Sequence, residues 1–327
     1  MDEYRGEKVL ITGGLGFIGS NLAIRLIELG ASVTLLDSLH PTCGANYFNI
    51  EPIRDDVEVI EGDAADLSLV RRIVRQKQYV FNLAGHISHI ESMEDPFSDL
   101  HMNAVAPLAV LEACKHENRT ARVVYAGTRQ SYGRPETLPL VETQIPKPID
   151  VNGVTKLAGE GFHIVYNRAF GIPTVSLRLV NTYGPRQLIK HARQGFIGWF
   201  IKQIIEAEEI QLFGDGQQLR GFNYIDDVVN ALLIAGTNKQ ITGDYFNLGG
   251  GRPVTLEAFV QLLINIAGRG SYRLVPFPSD KKSIDIGSVY TSAAKFTAAT
   301  GWLPKVTLEE GLQRTVEYYR QHRARYL

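Results

Sequence analysis

Cysteine is scarce in this chain. Cys43 and Cys114 are the only two in 327 residues. Two thiols so far apart give neither a disulfide framework nor metal-ligand spacing, so both are expected to be ordinary reduced thiols and no metal is expected. An excess of charge of either sign is missing too: 34 Lys and Arg face 35 Asp and Glu, leaving a net charge of −1. Without a basic field, neither nucleic acid nor an anionic membrane is expected as a partner. No apolar run approaches the roughly 18 residues of a membrane span. The start, Met1-Asp2-Glu3-Tyr4-Arg5, lacks the basic-then-apolar build of a secretory signal. Repeats, low-complexity tracts and linkers are likewise missing. What remains, at 44% hydrophobic and 21% charged residues, suits a globular protein rather than a disordered one. A cytoplasmic enzyme or binding protein, long enough for two lobes, is expected.

Glycine is abundant, and its placement is informative. After the apolar run Val9-Leu10-Ile11 comes Thr12-Gly13-Gly14-Leu15-Gly16-Phe17-Ile18-Gly19. Apolar residues then recur at helical spacing through Ile18, Leu22, Leu26 and Leu29. A second apolar run, Val33 to Leu36, ends in Asp37, 18 residues past Gly19. Strand, glycine turn, helix, strand and acid is the order a dinucleotide pocket requires. Such glycines let the backbone turn tightly and let a pyrophosphate approach main-chain N–H groups at a helix N-terminus. Asp37 can accept both hydroxyls of an adenosine ribose and would repel a 2′-phosphate, which favours NAD over NADP.

The β-then-α order repeats. Val57–Ile60, Tyr79–Leu83, Arg122–Ala126 and Thr174–Leu177 read as strands, with helical patterns near 66–75, 97–116 and 152–169 between them. That alternation implies an α/β fold with a parallel sheet covered on both faces, and ligands beyond the carboxyl ends of its strands. The second half is less regular. Helices are expected over 193–206, 225–235, 256–267 and 308–323, with a strand over 210–213 ended by Gly214-Asp215-Gly216. We expect a smaller lobe packed on the first, with the chain crossing between them more than once.

With these elements in order, the chain resembles the extended short-chain dehydrogenase/reductases that act as nucleotide-sugar epimerases, dehydratases and decarboxylases. The likeness runs end to end. Thr12-Gly13-x-x-Gly16-x-x-Gly19 matches the cofactor loop, Gly62-Asp63 resembles the adenine-contacting acid, and Asn82-Leu83-Ala84-Gly85 resembles the strand leading to the nicotinamide. Arg178 to Arg186 resembles the segment that opens the substrate lobe. Gly214-Asp215-Gly216 through Arg220 resembles the turn whose arginine holds the diphosphate, and Gly301-Trp302-x-Pro304 with Glu310-Gly311-Leu312 matches the C-terminal signature.

The resemblance implies a Rossmann-type doubly wound parallel sheet over residues 1–180, to which the chain returns near 222–250. A smaller, mixed α/β substrate lobe is implied for 181–221 and 251–327. It also implies NAD as cofactor, held by Gly13, Gly16, Phe17, Ile18, Gly19, Asp37, Asp63, Ala64, Leu83, Ala84, Gly85 and Lys156. A nucleoside diphosphate sugar would meet Thr128, Arg129, Asn181, Arg193, Phe213 and Arg220, with Lys281 and Lys282 near the second phosphate. In the family the helices corresponding to 97–116 and 152–169 build a dimer interface. Leu108, Val110, Leu111, Phe162, Val165 and Phe170 suit that role and internal packing equally; a homodimer is expected.

One position departs from the family. The Tyr-x-x-x-Lys pair normally carries the proton, its lysine drawing the phenol down from about 10. Here Lys156 stands in place, but Asn152 occupies the tyrosine position. The other Tyr-x-x-x-Lys match, Tyr4 and Lys8, lies ahead of the first strand. An amide cannot shuttle a proton. Thr128 matches the hydroxyl that bonds the sugar oxygen, whereas Arg129 and Gln130 stand where dehydratases carry Asp-Glu; decarboxylases commonly carry Glu where Gln130 stands. His86 is the leading substitute for the proton carrier because an imidazole titrates in the useful range; His89, Tyr132 and Tyr183 are further candidates. The resulting expectation is a UDP-sugar 4-epimerase-like reaction with a non-standard acid/base. Decarboxylation or dehydration is the alternative within the class, and a catalytically disabled binding protein the alternative outside it.

Overall fold

Branched and aromatic side chains bounded by Gly, Pro and Asp fix where the strands lie. The computed structural model describes residues 2–277 and 286–327. The first half lays down β1 (Lys8–Thr12), β2 (Ser32–Asp37), β3 (Val57–Glu61), β4 (Tyr79–Asn82), β5 (Arg122–Thr128) and β6 (Thr174–Leu179). The chain then leaves through the short strands β7 (Asn181–Tyr183), β8 (Glu209–Phe213), β9 (Leu219–Arg220) and β10 (Phe222–Tyr224). It returns with β11 (Tyr245–Leu248) and finishes its strands with β12 (Val254–Thr255) and β13 (Ser271–Val275). Seven of these form one parallel sheet in the order β11-β6-β5-β4-β1-β2-β3. This is the expected doubly wound α/β architecture. The strand order reverses between β1 and β4, which opens the crevice where such sheets take ligands. At its mouth Thr12 pairs with Asn82 in register, and its Oγ1 accepts the backbone N–H groups of Leu83 and Ala84, each at 3.0 Å.

Helices cover both faces. α1 (Phe17–Glu28), α2 (Leu67–Ile73), α3 (His89–Glu94), α4 (Pro96–Leu100), α5 (Ala106–Glu117) and α6 (Val151–Phe170) belong to the first half. The pattern near 97–116 proves not to be one regular helix. A π-helical turn, His101–Val105, joins α4 to α5 and turns Asn103 inward, where it is fully buried. Asp150 caps α6 by accepting the N–H of Gly153 at 2.7 Å, and Gly171 ends the helix with φ +72°. β11, four residues long and flanked by Asp244 and Gly249-Gly250, is too short for its apolar pattern to stand out in the sequence, yet it completes the sheet beside β6.

The second half packs α7 (Phe196–Ile205), α8 (Ile225–Thr237), α9 (Leu256–Ala267) and the closing helix Leu308–Gln321 around the short strands. One apolar cluster runs from Val9 and Leu22 through Phe222 and Phe259 to Tyr319, so both parts share a core. Among the described residues no helix is long and apolar enough to cross a membrane.

Arg178 is among the largest fully buried side chains. Its guanidinium meets Glu160 of α6 with two bonds, at 2.9 and 2.6 Å, and lies over the rings of Tyr132 and Tyr245. Removing one partner of such a pair leaves an uncompensated buried charge, whereas removing both does not. Glu160→Leu should therefore lower the unfolding free energy by about 3–5 kcal/mol in urea titration. The double change Glu160→Leu with Arg178→Met should lose far less. Equal losses would show that the pair is not the cause.

Candidate functional site

The glycine loop forms a cradle from which side chains are excluded. A Cβ on Gly19 would sit 2.2 Å from the Gly13 carbonyl oxygen, and one on Gly13, at φ +71°, would meet the Ala84 Cα at 3.0 Å. α1 begins at Gly16 with no side chain capping its first turn, so its leading N–H groups have no side-chain partner and suit a phosphate. Asp37, 7% exposed, accepts the N–H groups of Leu15 and Leu39, both at 2.9 Å. Burial pushes its carboxyl upward against those two bonds. Gly13, Gly16, Phe17, Ile18, Gly19, Asp37, Asp63, Ala64, Leu83, Ala84 and Gly85 all line one cleft. Asp63 additionally meets His101 at 2.7 Å. The donors, the cradle and the acid fit an adenine dinucleotide.

Lys156 lies under the far end of that cleft. A Cβ on Gly85 would come within 2.8 Å of its Nζ, so glycine there leaves room for the ammonium, which donates to the Ala126 carbonyl at 3.2 Å. Burial brings it down to about 8, against the pull of Asp99.

Asn152 faces away from the cleft. It is fully buried, and its amide donates to the His86 carbonyl at 2.8 Å and to Asp99 at 2.9 Å. Thr155 donates to the other oxygen of Asp99. The burial of Asp99 would raise its carboxyl, but bonds from His86, Asn152, Thr155 and Asn103 outweigh that and hold it low. His86 is 3% exposed. One ring nitrogen faces Asp99 at 3.4 Å and the other Glu91 at 2.7 Å; burial opposes its charge, yet the two carboxylates raise it. Both nitrogens are therefore engaged, and His86 is not open to a substrate.

His89 is more open to solvent than His86. His89, in the first turn of α3, has a 36% exposed side chain. Its Nδ1 meets the Asp150 carboxylate and its Nε2 meets the Gln130 amide. Gln130 lies 3.5 Å from the Thr128 hydroxyl. Asp150 carried no signal beyond helix capping, because its second partner is 61 residues away. Tyr132 and Tyr183 are buried and donate to Asn247 and to the Leu308 carbonyl; burial raises both phenols.

Of the remaining candidates, Arg129 and Arg220 come close enough for their like charges to act on each other. Burial first, then Arg220, brings Arg129 down to about 9, with Asp150 opposing. Arg220 donates to the carbonyls of Leu219 and Gly287. Asn181 donates to the Gly221 carbonyl at 2.9 Å. Phe213 ends β8 against Phe277, ring centroids 5.5 Å apart. Arg193 is exposed and pairs with Glu91 and Glu94, at the rim rather than inside. Lys281 and Lys282 lie outside the described residues.

A doubly wound sheet with an uncapped glycine cradle at its switch point and a buried lysine beneath Gly85 has the build of a dinucleotide-dependent enzyme. A family model described as "NAD dependent epimerase/dehydratase family" matches residues 9–249. UDP-glucose 4-epimerase of Mycolicibacterium smegmatis is 30% identical over 318 residues, covering 96% of this chain and 98% of that protein. UDP-glucuronic acid decarboxylase 1 of Xenopus tropicalis is 28% identical, covering 98% and 74%. The crystal structure of Thermotoga maritima UDP-glucose 4-epimerase with UDP-glucose superposes with a TM-score of 0.87 at 32% identity, covering 96% of this chain and 99% of that one. The chain belongs to the NAD-dependent epimerase/dehydratase family, and its cofactor is NAD.

The lysine makes a pH-dependent signature. With its folded value near 8 and an unfolded value near 10.4, the buried charge is unfavourable below pH 8. That cost fades as pH rises from about 8 to 10.4, where the unfolded chain binds more protons. Lys156→Met should thus stabilise the NAD-free protein by up to about 3 kcal/mol at pH 7, less the lost hydrogen bond, and by little near pH 10.4. Thermal unfolding across that range measures it; a difference that does not shrink with pH would contradict the assignment.

Proposed function

We propose that this enzyme modifies a nucleoside diphosphate sugar by transient oxidation, in a UDP-sugar 4-epimerase-like reaction whose acid/base is not a tyrosine. The observation that carries the reading is the cofactor cleft ending at Lys156 and Gly85, with the Thr128 hydroxyl on the neighbouring strand. NAD, when bound, supplies the acceptor and later the donor of a hydride. Residues 1–180 with 222–250 hold the dinucleotide, and 181–221 with 251–327 take the sugar nucleotide. The cradle of α1 takes the pyrophosphate, Asp37 the adenosine ribose, and Lys156 the nicotinamide ribose. Thr128 hydrogen-bonds the sugar oxygen, while Asn181 and Arg220 anchor the diphosphate.

Arg129 supports an anionic substrate. Among the described residues it makes no hydrogen bond or ion pair, and the carboxylate that acts on it, Asp150, is already engaged. A guanidinium left open beside a second one suits phosphate oxygens. Arg129 and Gln130 in place of an acidic pair argue against dehydration and, less directly, against decarboxylation. Epimerisation needs only NAD and a proton carrier.

Purified protein supplied with NAD and a panel of UDP-, dTDP-, GDP- and CDP-sugars should interconvert a UDP-hexose pair. Accumulation of NADH with a keto sugar would point to another reaction of the class. Tight binding of NAD and a sugar nucleotide with neither outcome would establish the binding-protein reading, which Asn152 favours.

A homodimer is part of the same proposal. Phe97, Leu100 and Val105 around α4, and Val154, Val165 and Phe170 on α6, are exposed, Phe97 by 81%. Apolar surface of this extent suits a subunit contact. Val110 and Leu111 are instead fully buried within the subunit. Light scattering should give twice the 36.3 kDa chain mass; a monomer at micromolar concentration would refute the dimer.

A further inference from the structure

We propose that His89, oriented by Asp150, is the group that moves the proton of the sugar hydroxyl. The proposal rests on the functional reading above and adds the residue that reading leaves unnamed. Asp150 divides its two oxygens: Oδ1 takes the N–H of Gly153 and caps α6, and Oδ2 takes Nδ1 of His89. Capping alone needs only the first. The second holds the imidazole in one tautomer, with its proton on Nδ1 and its lone pair on Nε2. Gln130 agrees with that assignment: its carbonyl oxygen is turned to the Thr128 hydroxyl, so its amide N–H donates to Nε2.

A chain of contacts therefore runs Asp150, His89, Gln130, Thr128, and it ends on the hydroxyl that matches the sugar-binding position. Gln130 fills the place beside Nε2 that a substrate hydroxyl can take. His86 differs in being buried, with a carboxylate rather than a neutral amide against each nitrogen. The charged groups around His89 come from several elements. Asp150 approaches from α6, with Arg129 acting on it from the turn after β5. Glu91 and Glu94 share α3 with His89 and are paired with Arg193. Asp150 is the carboxylate in direct contact with the ring.

In the forward step the sugar O–H bond breaks and its proton passes to Nε2. The carbinol C–H bond breaks with its electron pair, which leaves as hydride to the nicotinamide, and the C–O single bond becomes C=O. The sugar is oxidised, NAD is reduced, and the imidazolium rests on Asp150. Returning the hydride to the other face of the carbon, with the proton from Nε2 to oxygen, restores both.

Two measurements test this on the full-length, NAD-loaded protein. In histidine-ring NMR, the resonance that disappears in His89→Gln should show protonated Nδ1 and unprotonated Nε2. Asp150→Asn, which keeps a capping oxygen, should reduce the share of rings carrying their proton on Nδ1. The opposite tautomer, or a tautomer balance unmoved by Asp150→Asn, would overturn the proposal without any substrate being known. In the sugar-nucleotide panel, His89→Gln should reduce turnover about 100-fold or more, with NAD affinity and KM little changed and a partial loss in Asp150→Asn. A His89→Gln protein that turns over at the wild-type rate would overturn the proposal while leaving the functional reading intact. A wild-type protein inactive on the whole panel would bring down both.

Discussion

A single buried carboxylate organises the reactive half of the cleft. Asp99 is 1% exposed, and a charge so far from water persists only where several donors converge on it. The donors come from three parts of the chain: His86 after β4, Asn103 in the π turn, and Asn152 and Thr155 on α6. Meeting that demand fixes how α6 sits against the β4 loop. That placement in turn sets Lys156 beneath Gly85 and brings Asp150 within reach of α3. The π turn belongs to the same solution. An extra residue in the helical ladder rotates the succeeding turn, and here Asn103 exchanges two bonds with the backbone of His86 at 2.9 and 3.1 Å.

How much of this the sequence discloses depends on whether the constraint is local. The glycine turn, Asp37 and the β-α alternation follow from backbone sterics and periodicity within about 30 residues, and the structure has them where the pattern puts them. Lys156 lies beneath Gly85. β11 is a strand only because β6 lies beside it, and its four residues carry no alternation worth reading. The π turn depends on a hydrogen-bond target outside its own helix. His86 illustrates the limit most directly: its position after β4 recommends it as a proton carrier, but Glu91 and Asp99, which occupy its nitrogens, become visible only in three dimensions. His89 and Asp150 are 61 residues apart, and no spacing rule connects them.

The buried network also explains why an amide, and not a phenol, suits position 152. The side chain there must serve two acceptors at once, the His86 carbonyl and an oxygen of Asp99. An amide nitrogen has two protons to give; a phenol has one. The arrangement is not free of cost. Oδ1 of Asn152 is buried without a partner, and such a group typically destabilises by about 1–3 kcal/mol. Turning the amide over would set Oδ1 against two acceptors, the His86 carbonyl and Asp99, and would take one donor from Asp99. Satisfying a buried carboxylate outweighs one orphaned carbonyl, so Asn152 points inward.

With Asn152 committed to the interior, α6 offers no titratable side chain to the sugar from that position. Lys156 remains, and on the proposed reading it serves as a donor to bound hydroxyls rather than as the partner of a phenol. The base must then come from a group that is both exposed and oriented, since a fully buried imidazole cannot reach a substrate and a free one samples the wrong tautomer. His163 shows the buried extreme: stacked on Tyr125 at 4.4 Å, it is brought down to about 4 by burial and stays neutral. His89 meets both conditions: its side chain is 36% exposed, its Nδ1 is fixed by the oxygen that the α6 cap leaves over, and its Nε2 is held by the neutral Gln130 amide that a substrate hydroxyl can replace. The loss of the tyrosine and the histidine–aspartate contact are thus two outcomes of the same placement of α6.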